Sequence, residues 1–361
     1  MHTSAKHAFT LALGAAALAG VTQAQAFTAF QSEGPQSDEL IIKGRVAYEY
    51  DRNAGGSDKN DHDDGGTRTN IKYTHNFNDK LSVLASTEWG YDPFFRHARG
   101  NRTNNSDIGH FKRHQFAGVS YKGWGTLTAG KQDTVLAMVS DATDQYWIFG
   151  AGANGRGTAL DGTDRADRSL RYKNTFGDFA LGAMYGGHDS DGNITRNHFA
   201  QVAGTWQATP EVLLGLGYNN SQMETTGSGA HDYSIDNWIA SAQWTQGNWT
   251  VSGLVSQAHN GKKYAHSRGY ETYVKYDFNN LVELGTVQLY GGLNRLEDRD
   301  SPARTSSYLL GTALVGKKGV FGANDNYVIA LEQSFNDSKG NEGRNVENDH
   351  NSTSLLLRYN Y

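Results

Sequence analysis

The sequence predicts an all-β fold, a sixteen-stranded antiparallel transmembrane β-barrel with short periplasmic turns, long outer loops and an inward-folded third loop. Three observations lead to this prediction: a C-terminal segment that alternates apolar and polar residues, many similar alternating runs before it, and a composition rich in strand and turn formers. The 361 residues include 43 Gly, 19 Tyr and only 4 Pro, which suits strands joined by tight connections.

The C-terminal segment, Asn351 to Tyr361, alternates most regularly. At a period of two, one face carries Thr353, Leu355, Leu357, Tyr359 and Tyr361. A soluble protein rarely ends within a strand on an exposed aromatic residue, because chain ends usually fray. The closing strand of a membrane barrel does place aromatic side chains at the boundary between lipid and water. We therefore expect this strand to close a barrel.

Residues 1–26 are expected to form a secretory signal peptide. Lys6 precedes an apolar run from Ala8 to Val21, and Ala24-Gln25-Ala26 has the small-x-small pattern of a cleavage site. The run is shorter than the roughly 18 residues that a membrane-spanning helix needs. Residues 27–39 are an N-terminal extension, for which a periplasmic tail and a plug of the lower barrel mouth both remain open. Because the chain has no cysteine, the exported protein would contain no disulfides.

Residues 40–361 are predicted to form one barrel domain of sixteen strands. In its first strand Ile42, Val46 and Tyr48 oppose Lys43 and Arg45, and the later strands repeat this alternation. The predicted strands are 40–51, 67–77, 80–91, 110–121, 124–132, 165–176, 178–188, 197–208, 211–221, 234–246, 248–259, 267–278, 284–297, 305–317, 324–335 and 351–361. Short and long connections alternate, as in bacterial outer-membrane barrels, and sixteen strands leave a water-filled lumen.

One connection, residues 133–164, is much longer than the others. It contains five glycines and the aromatic segment Trp147-Ile148-Phe149. Long loops without regular structure inside compact domains are usually functional. The aromatic residues indicate that this loop packs against protein, and the barrel interior is the place available. We therefore predict that residues 133–164 fold inward and constrict the pore.

Three segments arranged around this loop carry a family resemblance. They are Arg113–Tyr121 (RHQFAGVSY), Gly125–Lys131 (GTLTAGK) and Arg358–Tyr361 (RYNY). In this order and spacing the chain resembles the trimeric general diffusion porins of Gram-negative outer membranes. The resemblance implies a homotrimer in the outer membrane that passes small hydrophilic solutes and ions by diffusion.

The resemblance also implies a basic pore wall that faces an acidic loop. By position, the basic wall consists of Arg45, Arg113, Arg165, Arg171 and Lys173, and the acidic loop of Asp141 and Asp144. A further carboxylate expected on the loop is replaced by Ile148, although Asp141 is near enough to compensate in part. Weak ion selectivity is therefore expected.

Strand parity independently favours a lumen-facing basic wall. Arginine at lipid depth costs about 2–4 kcal/mol, so these side chains should point toward water. Alternation places Arg113 opposite Phe116, and places Arg165 in phase with Arg171 and opposite Ala166.

Other functions have weaker support. The net charge of −5 argues against general nucleic-acid binding. Gly150 to Gly155 fits GxGxxG but lacks the flanking strand and helix of a nucleotide site. The chain contains no HExxH or GxSxG motif, so no metal, no cofactor and no enzymatic activity are expected.

Three alternatives remain open. The first is a substrate-selective channel of similar architecture for a sugar, peptide or anionic nutrient, and the second is a secreted soluble β-sheet binding protein. The third concerns Asp58 to Asp64, which is either a solvated outer loop or a site for a divalent ion that bridges to lipopolysaccharide phosphates. Outer-membrane lipid and lipopolysaccharide are the expected surroundings of the barrel.

Overall fold

The computed structural model describes residues 27–34, 36–53, 60–92, 109–150, 152–227, 230–260, 265–317, 326–341 and 350–361. The predicted signal peptide, residues 1–26, lies outside these residues. Nineteen strands of the described residues form a single antiparallel sheet. No helix in the described ranges has the length and apolar character needed to cross a membrane.

Sixteen of the strands are long and form the barrel wall. They are β2 (Ser37–Arg52), β4 (Arg68–Asn76), β5 (Leu81–Tyr91), β6 (His110–Tyr121), β7 (Gly125–Asp133), β8 (Arg165–Phe176), β9 (Phe179–Gly186), β11 (Ile194–Gln207), β12 (Val212–Thr225), β13 (Asp232–Gln246), β14 (Trp249–His259), β15 (His266–Val282), β16 (Gly285–Asp298), β17 (Arg304–Gly316), β18 (Asn326–Asn336) and β19 (Ser352–Asn360). The three short strands are β1 (Phe27–Gln31), β3 (Asp61–Asp63) and β10 (Asp189–Asp191). Each long strand overlaps a predicted one, with bounds that differ by up to four residues, so the predicted fold class is confirmed.

The barrel closes between its first and last long strands. β19 pairs with β2 from Thr353↔Arg52 to Asn360↔Arg45, which confirms the closing role of the C-terminal strand. β1 pairs with the same edge of β2 further along, at Thr28↔Ile41. Much of the N-terminal extension is therefore a hairpin arm that continues the wall below β19.

The two faces of the wall differ as the alternation predicts. Exposed apolar side chains cover the outer face, and examples are Val46, Leu127, Leu181, Val202, Leu216, Val255, Leu289, Leu310, Ile329 and Leu357. Exposed aromatic residues lie near both strand ends, including Trp124 and Trp206 beside short turns and Trp89 beside a long loop. This distribution matches the apolar band and aromatic girdles of a membrane barrel.

The long connection between β7 and β8 lies inside the barrel. It contains the short helix α1 (Ala137–Ser140), which packs with its flanks against the inner wall. The resulting apolar cluster contains Val135, Leu136, Val139, Ala166, Met184, Phe199, Ala203 and Ile239. Because the loop and the wall bury these apolar side chains against each other, the inserted loop and the wall form one packed unit.

Glycines on the inner wall make room for the loop residues that lead into α1. A Cβ added to Gly182 would lie 2.8 Å from Val135 Cγ1, and one added to Gly217 would lie 3.0 Å from Leu136 Cδ2. Larger residues at these positions would push the loop into the lumen.

Candidate pore constriction

Glu332 of β18 holds the tip of the inserted loop. Its buried carboxylate accepts hydrogen bonds from the backbone N–H groups of Trp147 (2.7 Å), Ile148 (3.1 Å) and Phe149 (2.7 Å) and from the Tyr290 hydroxyl (2.8 Å). Hydrogen bonds to a carboxylate are stronger than those between neutral groups. Three of them fix the position of the tip relative to the wall, and the fourth, from Tyr290 of β16, holds the carboxylate itself.

Glu271 of β15 provides a second anchor. Its buried carboxylate accepts hydrogen bonds from Thr143 Oγ1 and from the Ala153 backbone N–H, both at 2.6 Å. A Cβ at Gly269 would lie 1.9 Å from the Ala153 carbonyl oxygen, so the close approach of loop and wall requires glycine there. The two glutamates together hold both sides of the loop tip.

Arg196 of β11 anchors the returning part of the loop. Its side chain is fully buried and donates hydrogen bonds to the carbonyls of Ala159 (3.1 Å), Leu160 (2.8 Å), Asp167 (3.1 Å) and Gly187 (3.0 Å). A planar guanidinium can satisfy several carbonyls at once, which a lysine could not do in the same geometry.

Trp147 connects the loop tip to Gln288 and Arg358 of the barrel wall. Its indole Nε1–H donates to Gln288 Oε1 at 2.9 Å, and the Arg358 guanidinium carbon lies 4.6 Å from the ring centroid. The neighbouring Ile148 packs against the apolar cluster that contains Tyr290. The position where the resemblance expects a carboxylate therefore makes an apolar contact.

Glu88 of β5 lies among basic side chains of the inner wall. Arg113 Nε lies 2.7 Å from its Oε1, while Arg68 Nε lies at 3.8 Å and His114 Nδ1 at 3.6 Å. His114 Nε2 also lies 3.1 Å from Asp133 Oδ1. One wall carboxylate, Glu88, therefore lies close to three basic side chains.

Bulges determine which side chains of β6 and β8 point inward. The pairing of β5 with β6 passes from Glu88↔His114 to Trp89↔Lys112, which makes Arg113 an extra residue. As a result Arg113 lines the same cavity as Phe116, and the expectation that they lie on opposite faces is wrong.

A second bulge lies on β8. The pairing of β7 with β8 passes from Gly130↔Ser169 to Gln132↔Ala166, and Arg168 adopts a φ of 52°. Ala166 is consequently buried in the apolar cluster inside the barrel, whereas parity places it on the outer face. A bulge reverses the inward and outward alternation, and the sequence gives no clear sign of either one.

The structure brings Arg45, Arg113 and Arg165 into one region. Arg45 donates its Nε–H to the Gly66 carbonyl at 2.8 Å and lies within electrostatic range of Arg68, Arg113 and Arg358. Arg165 lies 3.1 Å from Asp164 and within the same range of Arg113.

The two other basic residues lie further along β8. Arg171 Nη1 donates to the Asp133 carbonyl at 2.7 Å, and its guanidinium carbon lies 5.7 Å from the Phe116 ring centroid. Lys173 lies within electrostatic range of Arg171 and of Asp141 on the loop. The five predicted basic residues thus form a continuous strip rather than one cluster.

Both predicted loop carboxylates face open space. Asp141, at the end of α1, and Asp144 are exposed, and they lie within electrostatic range of each other. Asp141 is also within range of Arg156 and Lys173. Of the five predicted basic residues, Lys173 is therefore the one within electrostatic range of Asp141.

Sequence reasoning missed four residues of this region: Arg68, Arg358, Glu271 and Glu332. All four lie in the polar phase of an alternating strand, and this phase is the feature of the sequence that could have identified them. A charged residue in the inward phase of a barrel strand is expected either to line the lumen or to anchor a loop within it. Their partners on the loop are not predictable, since Trp147 and Glu332 are 185 positions apart.

The structure describes only part of the first long loop, in which Asp58 to Asp64 are a possible site for a divalent ion. Residues Asp61–Asp63 form β3, which pairs with β2, while residues 54–59 lie outside the described ranges. Where the structure describes the chain, it contains no group of three or more metal-ligating side chains.

A closed barrel with a wide polar interior, narrowed by a loop that is anchored within it, has the architecture of a channel-forming membrane protein. The sequence profile described as "Gram-negative porin" matches residues 10–353. The chain belongs to the Gram-negative porin family and is a protein of the bacterial outer membrane.

Two curated relatives share part of its sequence. Porin-like protein L of Photobacterium profundum is 26% identical over 210 residues, which cover 54% of this chain and 59% of that protein. Outer membrane protein U of Vibrio cholerae is 28% identical over 125 residues, 34% of this chain and 35% of that protein. The matched regions thus span less than two thirds of either relative.

Solved structures match nearly the whole fold at low sequence identity. OmpF of Salmonella typhi, in complex with daunomycin, has a TM-score of 0.67 at 14% identity and covers 92% of this chain and 100% of its own. The trimer form of OmpT of Vibrio cholerae has 0.63 at 15% identity, with coverages of 90% and 99%. The anion-selective porin of Comamonas acidovorans has 0.64 at 17% identity, also with coverages of 90% and 99%.

Proposed function

We propose that the protein forms a water-filled channel through which small hydrophilic solutes and ions diffuse passively. The observation that carries this proposal is the loop anchored inside the barrel by Glu271 and Glu332. A fixed obstruction narrows the lumen without closing it, and charges on its two sides create a transverse field. No energy source and no catalytic step enter this function.

The proposed roles of the site residues follow from their positions. Arg45, Arg113, Arg165, Arg171 and Lys173 would form the basic wall of the constriction, and Asp141 and Asp144 its acidic loop. Arg68 and Arg358 add to the basic side. Ion selectivity is expected to be weak and to lean toward anions, because an apolar residue stands where a further loop carboxylate is expected.

The proposed assembly is a homotrimer in outer-membrane lipid and lipopolysaccharide, reached after removal of residues 1–26 as a signal peptide. The trimer form of the Vibrio cholerae structure supports this assembly. The exposed apolar band of the wall supports the lipid environment.

Purified protein in a planar lipid bilayer tests the channel proposal. We expect stepwise current increases and, in proteoliposomes, swelling rates that fall steadily with sugar size. Protein that inserts into the bilayer without giving current steps would contradict the proposal.

The second candidate function is a substrate-selective channel of the same architecture. The excess of arginine at the constriction favours an anionic substrate, and the anion-selective neighbour from Comamonas acidovorans is consistent with it. A selective channel would show current block that saturates with one solute class, whereas a general channel would rank solutes by size alone.

A further inference from the structure

A cavity of about 480 Å³ lies along the inner wall beside the constriction, with lining residues from six neighbouring strands, β2 and β4 to β8. Its cationic side chains are Lys43, Arg68, Lys72, Arg113 and Arg171, and its carboxylates are Glu88 and Asp133. Counted over lysine, arginine, aspartate and glutamate, the lining has an excess of three positive charges. A volume of this size lies within the range of sites that hold small organic molecules.

The arginines of this cavity already have partners. Arg113 and Arg68 share the Glu88 carboxylate, and Arg171 donates to a backbone carbonyl. Lys43 and Lys72 have no ion-pair or hydrogen-bond partner among the residues that the structure describes. The unneutralised charge of the cavity therefore resides mainly on these two ammonium groups.

The sheet register places the two lysines together. Lys43 pairs with Asn70 and Lys72 with Ile41, so the lysines are diagonal neighbours on the inner faces of adjacent strands. Backbone positions related in this way are about 7–8 Å apart, and long side chains bridge that distance easily. Two ammonium groups can therefore reach one doubly charged anion, or one anionic group each.

The cavity also has an apolar side. Leu84 of β5 points inward, against the polar trend of its strand, and Phe116 of β6 lies beside it in the same lining. Apolar side chains on a lumen wall offer a surface for the hydrocarbon part of a solute. Inorganic anions gain nothing from such a surface.

We propose that this cavity is a saturable subsite for small organic dianions, held by Lys43 and Lys72 and packed against Leu84 and Phe116. The inference rests on the proposed channel function and adds a solute class to it. Dicarboxylates and phosphate monoesters share the required chemistry, which is two negative charges on a short carbon body.

Current block in a planar bilayer tests the subsite. Succinate and glycerol 3-phosphate are added as separate arms at pH 7.5, with erythritol as the neutral control and putrescine as the cationic control. We expect block of the potassium chloride current that saturates with succinate, with glycerol 3-phosphate or with both. The controls should give no saturating block.

The decisive variant is Lys43→Gln with Lys72→Gln. Its matched control is Lys112→Gln with Lys122→Gln, which removes the same charge from two exposed lysines that do not line the cavity. The wall variant should raise the apparent dissociation constant of the blocking anion by about tenfold, since fixed charges in a narrow channel attract counter-ions strongly. The control should keep the wild-type value.

The possible results separate the chemistry of the bound anion, the existence of the subsite and the channel function. Block by succinate alone identifies a carboxylate site, and block by glycerol 3-phosphate alone identifies a phosphate site. Equal block of the wall variant and the control, or open channels that neither dianion blocks, would overturn the subsite. Absence of any current steps would instead overturn the channel function itself.

Discussion

The Glu332 carboxylate lies 2.7 Å from the backbone nitrogen of Trp147, although 185 positions separate the two residues in the chain. The same carboxylate also receives the next two backbone N–H groups, so three successive N–H groups of the loop tip share one wall side chain. Because the barrel wall is rigid, this contact transfers its rigidity to the constriction.

Replacement of Glu332 by glutamine should loosen the loop tip. The neutral amide places an NH2 donor against backbone donors, and a loss of about 1–3 kcal/mol is typical when buried donors lose their acceptor. We expect noisier single-channel current and a lower midpoint of thermal unfolding in detergent. The control is Glu33→Gln, at an exposed position of the N-terminal arm. Quiet, wild-type current in the Glu332 variant would show that the tip does not need this anchor.

Removal of Arg113 and Arg165 together should widen the constriction. The double variant Arg113→Ser with Arg165→Ser deletes two long side chains that lie within electrostatic range of each other. Swelling of proteoliposomes in a trisaccharide should become faster by roughly twofold or more, since permeation depends on the radius of the pore lining. Arg299→Ser, in an exposed turn, is the matched control. An unchanged swelling rate would remove both arginines from the narrowest part of the pore.

Neutralising the acidic loop should change ion selectivity without changing pore size. Asp141→Asn with Asp144→Asn removes two negative charges from the exposed side of the loop, and fixed charge sets the local ion concentration. The reversal potential in a tenfold potassium chloride gradient should shift further toward the chloride equilibrium potential. A shift toward potassium would mean that these carboxylates do not face the permeating ions. Conductance in symmetrical salt serves as the size control.

Substitutions at Trp147 separate its hydrogen bond from its ring contact. Trp147→Phe keeps a ring over Arg358 but removes the donor to Gln288, while Trp147→Ala removes both. Truncation of a large buried aromatic typically costs about 3–5 kcal/mol, and this half-buried ring should cost less. We expect thermal unfolding midpoints in the order wild type, phenylalanine, alanine. Equal midpoints for all three proteins would show that neither contact of the Trp147 side chain stabilises the fold.

Arg196 should be among the most sensitive positions of the wall. In Arg196→Met the side chain keeps much of its length, but four backbone carbonyls lose their donor. Unsatisfied buried acceptors cost about 1–3 kcal/mol each at most, and relaxation of the loop lowers the total. The folded fraction after heating in detergent, read from gel mobility, should fall clearly below that of Arg168→Met, an exposed arginine on β8. Similar heat resistance of the two variants would contradict this role.

Much of this protein follows from local sequence alone. The sixteen long strands, the closing strand that ends near Tyr361 and the long inserted connection are all visible as period-two alternation and its interruption. Alternation predicts strands well because lipid outside and water inside act on every residue of the wall in the same way.

Only the tertiary structure decided where the individual charges point and what they contact. The bulges at Arg113 and near Arg168 reverse the alternation, and a bulge depends on the pairing of two strands rather than on one residue. The anchors Glu271 and Glu332 acquire their roles through partners on the loop, far away in the chain. Periodicity records the environment of a strand, whereas the contacts of a loop across a lumen exist only after the barrel has closed.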